Sequence, residues 1–352
     1  MDCRKDSPLQ TTLAPAPPVI DDQAAPAGEL VCPACRVPVC ALEESLSCPG
    51  CGRSFPIVEG LPDLRLNSDR YLSLEEDRAK ARRLADLAES CNALELAEAY
   101  YTMTADVDAR RRALFLAHLA RAEDRGAALA AIVPKVGRVL EVGCGSGGLV
   151  TAMAGAGASI VGVDIAMRWL VVARQRLADR RLQAPLVAAS AEALPWPDKT
   201  FDTVVADSVI EHLDNPATAL SECARVLRPG GRLVLWSPNR FSIFTDPHVG
   251  LWGVGWLPQG CARAYVRWRR GCDWPLRLLS ARSARRIVAA AGFEQIQIEP
   301  PRLSMNLEHV RDLSKRILMR LYHRARCMPG MRDLVTRFGP LWQLTAIRKG
   351  AA

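Results

Sequence analysis

The 352-residue sequence predicts an α/β fold: a mostly parallel, seven-stranded sheet with helices on both faces, preceded by a small cysteine-rich module. Three observations carry this expectation. From Gly137 onward, apolar strand-like runs alternate with single helical stretches, the pattern of a parallel sheet covered on both sides. The run "RVLEVGCGSGGLV", Arg138 to Val150, ends a strand in a glycine loop and restarts as a helix. Four cysteines form two Cys-x-x-Cys pairs within residues 30–64, a segment too short to bury a core of its own.

Composition sets the frame. With 49% apolar and 24% charged residues the chain reads as an ordinary globular protein. Its longest apolar stretches, Leu149 to Val163 and Val249 to Leu257, fall short of the roughly 20 residues that span a bilayer, so no membrane helix is expected. The opening "MDCRKDSPLQTTLAPAPPVIDDQAAPAGE" mixes both charge signs with Pro and Ala and lacks the apolar core of a signal peptide. Residues 1–28 are therefore expected to be a disordered lead, and the protein cytoplasmic. Charge is uneven: residues 1–60 carry net −4, 61–130 net −2, 131–240 net +2, and 241–352 net +12.

In order along the chain, residues 29–66 come first. Cys32, Cys35, Cys48 and Cys51 follow C-x2-C-x12-C-x2-C, with Pro and Gly in "CPAC" and "CPGCG" that let tight knuckles point backbone amides at sulfur. Four thiolates at this spacing suit a tetrahedral Zn2+ in a zinc ribbon, and four cysteine ligands leave no open position for water, so the metal is expected to be structural. Residues 67–132, rich in Ala, Leu, Glu and Arg, predict a connector of two or three helices that caps the cofactor or substrate, with "DVDAR" at Asp106 to Arg110 restarting one of them.

Residues 133–240 predict the core. "RVLEVG", "SIVGVDI", "APLVAAS", "FDTVVADSVI" and "GRLVLWSP" read as strands. "GGLVTAMAGAG", "MRWLVVARQRLADRR" and "ATALSECARVL" read as helices, and "ARVLRPGG" as a helix end followed by a Pro-Gly-Gly turn. Residues 241–280 form an insertion rich in Arg and Trp, expected as a substrate lid. Residues 281–352 complete the sheet through "SARSARRIVAAAGF", "EQIQIEP" and "LWQLTAIRK", the last two as an antiparallel edge.

The glycine loop admits two guests. Gly143, Gly145 and Gly148 satisfy G-x-G-x-x-G, while Gly143, Gly145 and Gly147 satisfy G-x-G-x-G. Backbone N–H groups at a helix start usually hold phosphate. Glu141, two residues before the first glycine, disfavours a pyrophosphate and favours a cationic ligand. Asp164 ends the next strand, where an acid accepts the ribose hydroxyls of a nucleoside.

Together, "VLEVGCGSGG", "VGVDIA", "AASAEALPWPDKTFDTVVADSVIEHL" and "ARVLRPGGRLVLWSPN" resemble, in order and spacing, the class I S-adenosylmethionine-dependent methyltransferases with their Rossmann-like fold. The resemblance covers residues 136 to 240. It implies S-adenosyl-L-methionine as cofactor: the Gly143 to Gly147 loop cradles its amino-acid end, Glu141 faces its ammonium, Asp164 holds the ribose, Ala191 and Glu192 lie near adenine, and Asp207 begins the loop beside the methionine moiety. Ser190 stands where the family often has an acid for the adenine amino group. The cysteine segment with "FPIVEGLPDL" resembles the Trm112-like zinc segment that is fused to methyltransferases or activates them.

For the transfer itself, an in-line displacement onto a hydroxyl calls for a base. His212 in "DSVIEHLDNP" and His248 in "FTDPHVGLWGVGWLP" are the candidates. "CARAYVRWRRGCDWPLRLLSARSARR" concentrates arginines among aromatics, a composition suited to RNA, to a phosphate-bearing small substrate, to anionic lipid at a membrane surface, or to a solvated helix face in a chain with 40 Arg against 6 Lys. The favoured reading is methyl transfer to a small molecule (a saccharide, a lipid-linked intermediate or a specialised metabolite), with O-methylation preferred. The resemblance also admits a ribosomal RNA guanine N-methyltransferase. Against it stand the net acidic ribbon and Asp207 and Ser208 where an "NPPY"-type tetrapeptide would be. The third reading is a non-catalytic zinc-ribbon scaffold.

Overall fold

The computed structural model describes residues 29–104, 107, 109–303 and 313–350. The expected disordered lead lies outside the described residues, as do Asp106 and Asp108 of the expected helix start. The N-terminal module is a four-stranded antiparallel sheet: β1 (Cys40–Ala41), β2 (Ser45–Ser47), β3 (Ser54–Val58) and β4 (Leu61–Pro62) in order β1-β2-β3-β4. Four helices follow rather than two or three: α1 (Leu74–Ala88), α2 (Ala93–Thr102), α3 (Ala109–Leu119) and α4 (Ala122–Ala130). Capping boxes start two of them, Ser73 with Glu76 and Asn92 with Glu95, each satisfying otherwise orphaned N–H groups at a helix start.

The core alternates as its apolar runs predict: β5 (Arg138–Val142), α5 (Gly148–Gly155), β6 (Ser159–Asp164), α6 (Met167–Asp179), β7 (Leu186–Ala188), β8 (Phe201–Asp207), α7 (Pro216–Val226) and β9 (Leu227–Pro238). Then come α8 (Gln259–Arg270), α9 (Ala281–Ala290), β10 (Phe293–Glu299), α10 (Leu313–Cys327), α11 (Met331–Phe338) and β11 (Leu341–Arg348). The strands form one seven-stranded sheet in order β10-β11-β9-β8-β5-β6-β7. Pairing is parallel throughout except along β11, which runs antiparallel to both β9 and β10. β10 and β11 thus form the expected antiparallel edge, with β10 outermost and β11 between it and β9. A second departure concerns "LRPGG". No separate turn precedes β9; the strand begins at Leu227, and the Pro-Gly-Gly residues are absorbed by a register shift opposite β8, with Gly230 at φ 76°.

Val139, Leu140, Val204, Val205, Leu233 and Val234 are fully buried in the central strands, each contributing about 1.5–3 kcal/mol of burial. The order reverses at β5, whose neighbours β6 and β8 lead to opposite flanks. That makes its carboxyl end the topological switch point, where ligands enter open α/β sheets. Across this end α4 packs against α5 with almost no side chain between them: a Cβ on Gly126 would lie 2.2 Å from the Gly148 carbonyl oxygen.

The ribbon is not a bead on a string. Asp63 bridges Ala188 in parallel, the Leu64 N–H donates to the Ala188 carbonyl (2.8 Å), and the Val31 N–H donates to Pro195 (3.1 Å), so its exit strand extends the β7 edge. Leu30, Cys32, Leu46 and Phe55 share one apolar core with Val187, Leu194 and Trp196.

Candidate active site

The glycine loop joins β5 to α5. Gly143, Gly145 and Gly147 all have positive φ (69°, 50° and 78°), the region glycine alone enters freely. A side chain at Gly143 would strike Val209 at 2.3 Å and one at Gly147 would strike Ala173 at 2.8 Å, whereas Gly145 faces open space. Gly147 is the N-cap of α5 and Gly148 its first residue, so the glycine completing the dinucleotide spacing belongs to the helix and its contact with α4.

Glu141, on β5, is buried and accepts the Val150 N–H at 3.1 Å. Burial pushes its carboxyl well above the usual range, and the nearby Asp207 and Asp164 add to the rise. Asp164, at the end of β6, accepts the Gly145 N–H and the Ala166 N–H at 2.8 Å each, one on either oxygen. Each carboxylate oxygen keeps a further lone pair for a diol. A buried acid beside an open glycine loop, with a second acid one strand away, matches an ammonium at one end of a ligand and a ribose at the other.

Asp207 ends β8 and receives both arms of the Arg125 guanidinium, which also donates to Ser208 Oγ at 2.8 Å. Ser208 sits at φ 56°, uncommon for a residue with a side chain, and turns the chain sharply beneath this pair. Sequence reading placed α4 in a cap over the site but did not single out Arg125. Its signal was the neighbouring Gly126, whose missing side chain lets α4 approach the glycine loop. Ala191 and Glu192 follow β7. The Glu192 carboxylate accepts the Asn215 N–H (2.8 Å), and the Ser190 hydroxyl accepts the Glu192 N–H (3.2 Å), tying this loop to the start of α7.

His212 and His248, 36 positions apart in the chain, come together edge to face with ring centroids 5.1 Å apart. His212 ends a one-turn 3-10 helix over Ile210–His212; His248 lies on a tight turn whose Asp246 carboxylate accepts the His248 and Val249 N–H groups (2.9 and 3.1 Å). Asp246 Oδ1 is 3.5 Å from His248 Nδ1, and Glu211 Oε1 is 4.0 Å from His248 Nε2. Glu211, which sequence reading passed over, is fully buried; burial pushes its carboxyl up to about 7, and the Ser237 hydroxyl donates to its Oε2 at 3.1 Å. The histidines diverge in character. Burial and the neighbouring His248 push His212 down to about 3, so it stays neutral. Burial also opposes charge on His248, but Asp246 and then Glu211 outweigh it and raise its pKa above the ordinary value. Glu211, His212 and His248 each offer a ligand atom within 4.8 Å of the others.

In the ribbon, the ligand atoms of Cys32, Cys35, Cys48 and Cys51 also lie within 4.8 Å of one another. The Cys32–Cys51 and Cys35–Cys48 Sγ separations are 3.6 and 3.3 Å, close to the roughly 3.8 Å edge of a tetrahedron with Zn–S near 2.3 Å. The site therefore suits a thiolate-bound cation. Between ribbon and cofactor crevice lies a buried network. Arg65 donates to both oxygens of Asp63 (2.7 Å each), to Asp77 (2.5 Å) and to the Ile165 carbonyl (2.8 Å), next in the chain to Asp164. Asp77 also accepts the Met167 N–H (2.8 Å) at the start of α6 and Arg168 Nη1 (2.5 Å).

A family model described as "Methyltransferase domain" matches residues 140–235, and one described as "Trm112p-like protein" matches residues 29–60. Among curated proteins the chain is similar to the ubiquinone biosynthesis O-methyltransferase of Maricaulis maris, 38% identical over 129 residues, covering 36% of this chain and 51% of the relative. The namesake in Thiobacillus denitrificans is 39% identical over 105 residues, covering 29% and 45%. The chain spans about half the length of the curated relatives it matches. A solved structure from Thermotoga maritima, described as a SAM-dependent methyltransferase and possible histamine N-methyltransferase, aligns at 20% identity and TM-score 0.43 over 66% of this chain and 91% of its own. Residues 140–235 thus match a methyltransferase domain, behind a Trm112p-like segment at residues 29–60.

Proposed function

We propose that this protein transfers a methyl group from S-adenosyl-L-methionine to an oxygen of a small-molecule acceptor. The observation that carries the reading is the convergence of two histidines and two acids, His212, His248, Asp246 and Glu211, after β8 and β9, beside the crevice that holds Glu141 and Asp164. The O-methyltransferase names of the curated relatives support the choice of oxygen. The cofactor supplies an electrophilic methyl on a sulfonium. Glu141 would take its ammonium, the Gly143, Gly145 and Gly147 backbone would line its amino-acid end, and Asp164 would bind the ribose diol. Ala191 and Glu192 flank the base, and Asp207, held by Arg125, shapes the loop beside the methionine chain. Zn2+ on Cys32, Cys35, Cys48 and Cys51 is structural.

His248 Nε2 accepts the acceptor's hydroxyl proton. Asp246, 3.5 Å from Nδ1, stabilises by its charge the imidazolium that results. His212, kept neutral, adds no competing positive charge. The test is methyl transfer to catechol and polyol acceptors by wild type and His248→Gln. Loss of the base is expected to lower kcat by about 10²–10⁴ with cofactor affinity unchanged. A variant within threefold of wild type refutes the base assignment, and methyl incorporation into RNA refutes the small-molecule choice. The three ligand atoms of Glu211, His212 and His248 also favour a second reading, a divalent cation that orients the acceptor oxygen. Dependence of kcat on added Fe2+ or Ni2+, with the zinc content of the ribbon unchanged, distinguishes it.

A further inference from the structure

Beyond the histidine cluster, α3 and the end of α8 enclose a cavity of about 170 Å³ lined by Arg110, Arg111, Arg269, Arg270, Val249 and Cys272, with Leu114 completing the wall. No acidic side chain lines it among the described residues. Arg270 is fixed in place, donating from Nε to the Val249 carbonyl (2.9 Å) and from Nη2 to the Gly250 carbonyl (3.0 Å). Arg269 packs its guanidinium on the Trp268 ring, 5.3 Å from the centroid. Arg110 Nη2 and Arg270 Nη2 both lie within 4 Å of the point a Cβ on Gly250 would occupy. Guanidiniums gathered this closely repel one another and are stabilised by a shared anion; their planar donor forks match the oxygens of phosphate. Three other arginines of this basic stretch lie against partners of their own: Arg263 and Arg267 pair with Asp273, and Arg285 donates to the Ile296 carbonyl.

Two elements connect this cavity to the histidines. Val249 lines it and follows His248 on the turn closed by Gly250 N–H to the Asp246 carbonyl (2.8 Å). Along α3, Leu114 lines the cavity and His118, one turn on, is close enough to Arg125, Asp207 and His248 to feel their charges. Seven residues separate Arg111 from His118, roughly 10 Å of helix. A cavity of this size lies below the roughly 300–1,000 Å³ of a pocket for a whole ligand, and suits one compact group of a longer one.

We propose that the arginine cavity binds a phosphoryl group, mono- or diphosphate, of the methyl acceptor, on the turn that carries His248. This rests on the methyltransferase reading for what reacts, but phosphoryl binding is measured without turnover. The probes are inorganic pyrophosphate, titrated calorimetrically into the full chain, and phosphatidylcholine vesicles containing phosphatidic acid, scored by sedimentation. Wild type is expected to bind pyrophosphate, and Arg110→Gln/Arg269→Gln to weaken binding at least tenfold, while Arg282→Gln/Arg286→Gln on α9 leaves it unchanged. Binding to the vesicles but not to pyrophosphate, lost in the same cavity variant, assigns the phosphoryl group to a lipid headgroup and upholds the cavity. Absence of binding to both probes, or equal weakening by the α9 variant, overturns it. Failure of methyl transfer with pyrophosphate binding intact overturns only the activity on which the acceptor assignment rests.

Discussion

Arg65→Met tests whether the ribbon and the cofactor crevice form one cooperative structure. Arg65 is 4% exposed and satisfies both oxygens of Asp63, one of Asp77 and the Ile165 carbonyl. Removing one partner of a buried ion pair costs about 3–5 kcal/mol, because the other charge stays buried. Here each acid keeps a second cation: Asp63 retains Arg78 at 2.8 Å, and Asp77 retains Arg168 at 2.5 Å. The loss should therefore fall near the low end, about 3 kcal/mol. With an m-value of about 3 kcal/mol/M in urea, that lowers the unfolding midpoint by about 1 M. The pH dependence has a definite sign. Burial disfavours the Asp63 carboxylate, but Arg65 and then Arg78 outweigh it and hold the carboxyl below its usual range. A depressed acid contributes stability that is fully present above its unfolded pKa of about 3.9 and is lost as pH falls through the lower folded value. The gap between wild type and Arg65→Met should thus be widest near neutrality and narrow as pH falls below about 3.9. A midpoint shift under about 0.3 M, or a gap independent of pH, would refute the reasoning.

Other expectations follow from the same geometry. Asp164→Ala should weaken S-adenosylmethionine binding by about 1.5–3 kcal/mol in calorimetry, the worth of hydrogen bonds to a charged group; an unchanged dissociation constant means the acid does not touch the ribose. Glu141 is protonated to unusually high pH by burial, and an ammonium ligand favours its ionised form, so cofactor affinity should rise with pH and binding should release a proton. Equal binding enthalpies in buffers of different ionisation enthalpy would contradict this. Gly126→Ala places a methyl 2.2 Å from the Gly148 carbonyl oxygen and should lower stability by about 1–3 kcal/mol, measured by thermal unfolding; a neutral result would show that α4 can slide off α5 at little cost. Chelation of zinc should lower the melting temperature of the whole chain rather than release a local segment, since Cys32 and Cys48 belong to the same core as Val187 and Trp196. An unaltered melting curve after complete metal removal would exclude a structural zinc.

Much of this was legible in the amino-acid order, because it is set by neighbours in the chain. Apolar alternation after Gly137 reports parallel strands since each is buried on both faces, and the spacing of four cysteines reports a common center since two knuckles need few residues to close. The positive-φ positions at Gly143, Gly145 and Gly147 follow from local backbone geometry as well. Tertiary structure decided what lies far apart in sequence. It put Arg125 on Asp207, 82 positions away, and brought Glu211 and Asp246 to His248, turning two histidines of similar sequence context into one held neutral and one held basic. It also slid β11 between β9 and β10, and merged the ribbon with the sheet edge through Asp63 and Leu64. Such pairings depend on which surfaces meet when the whole core closes, and burial at that meeting sets the charge of each side chain; periodicity along one segment carries no record of either.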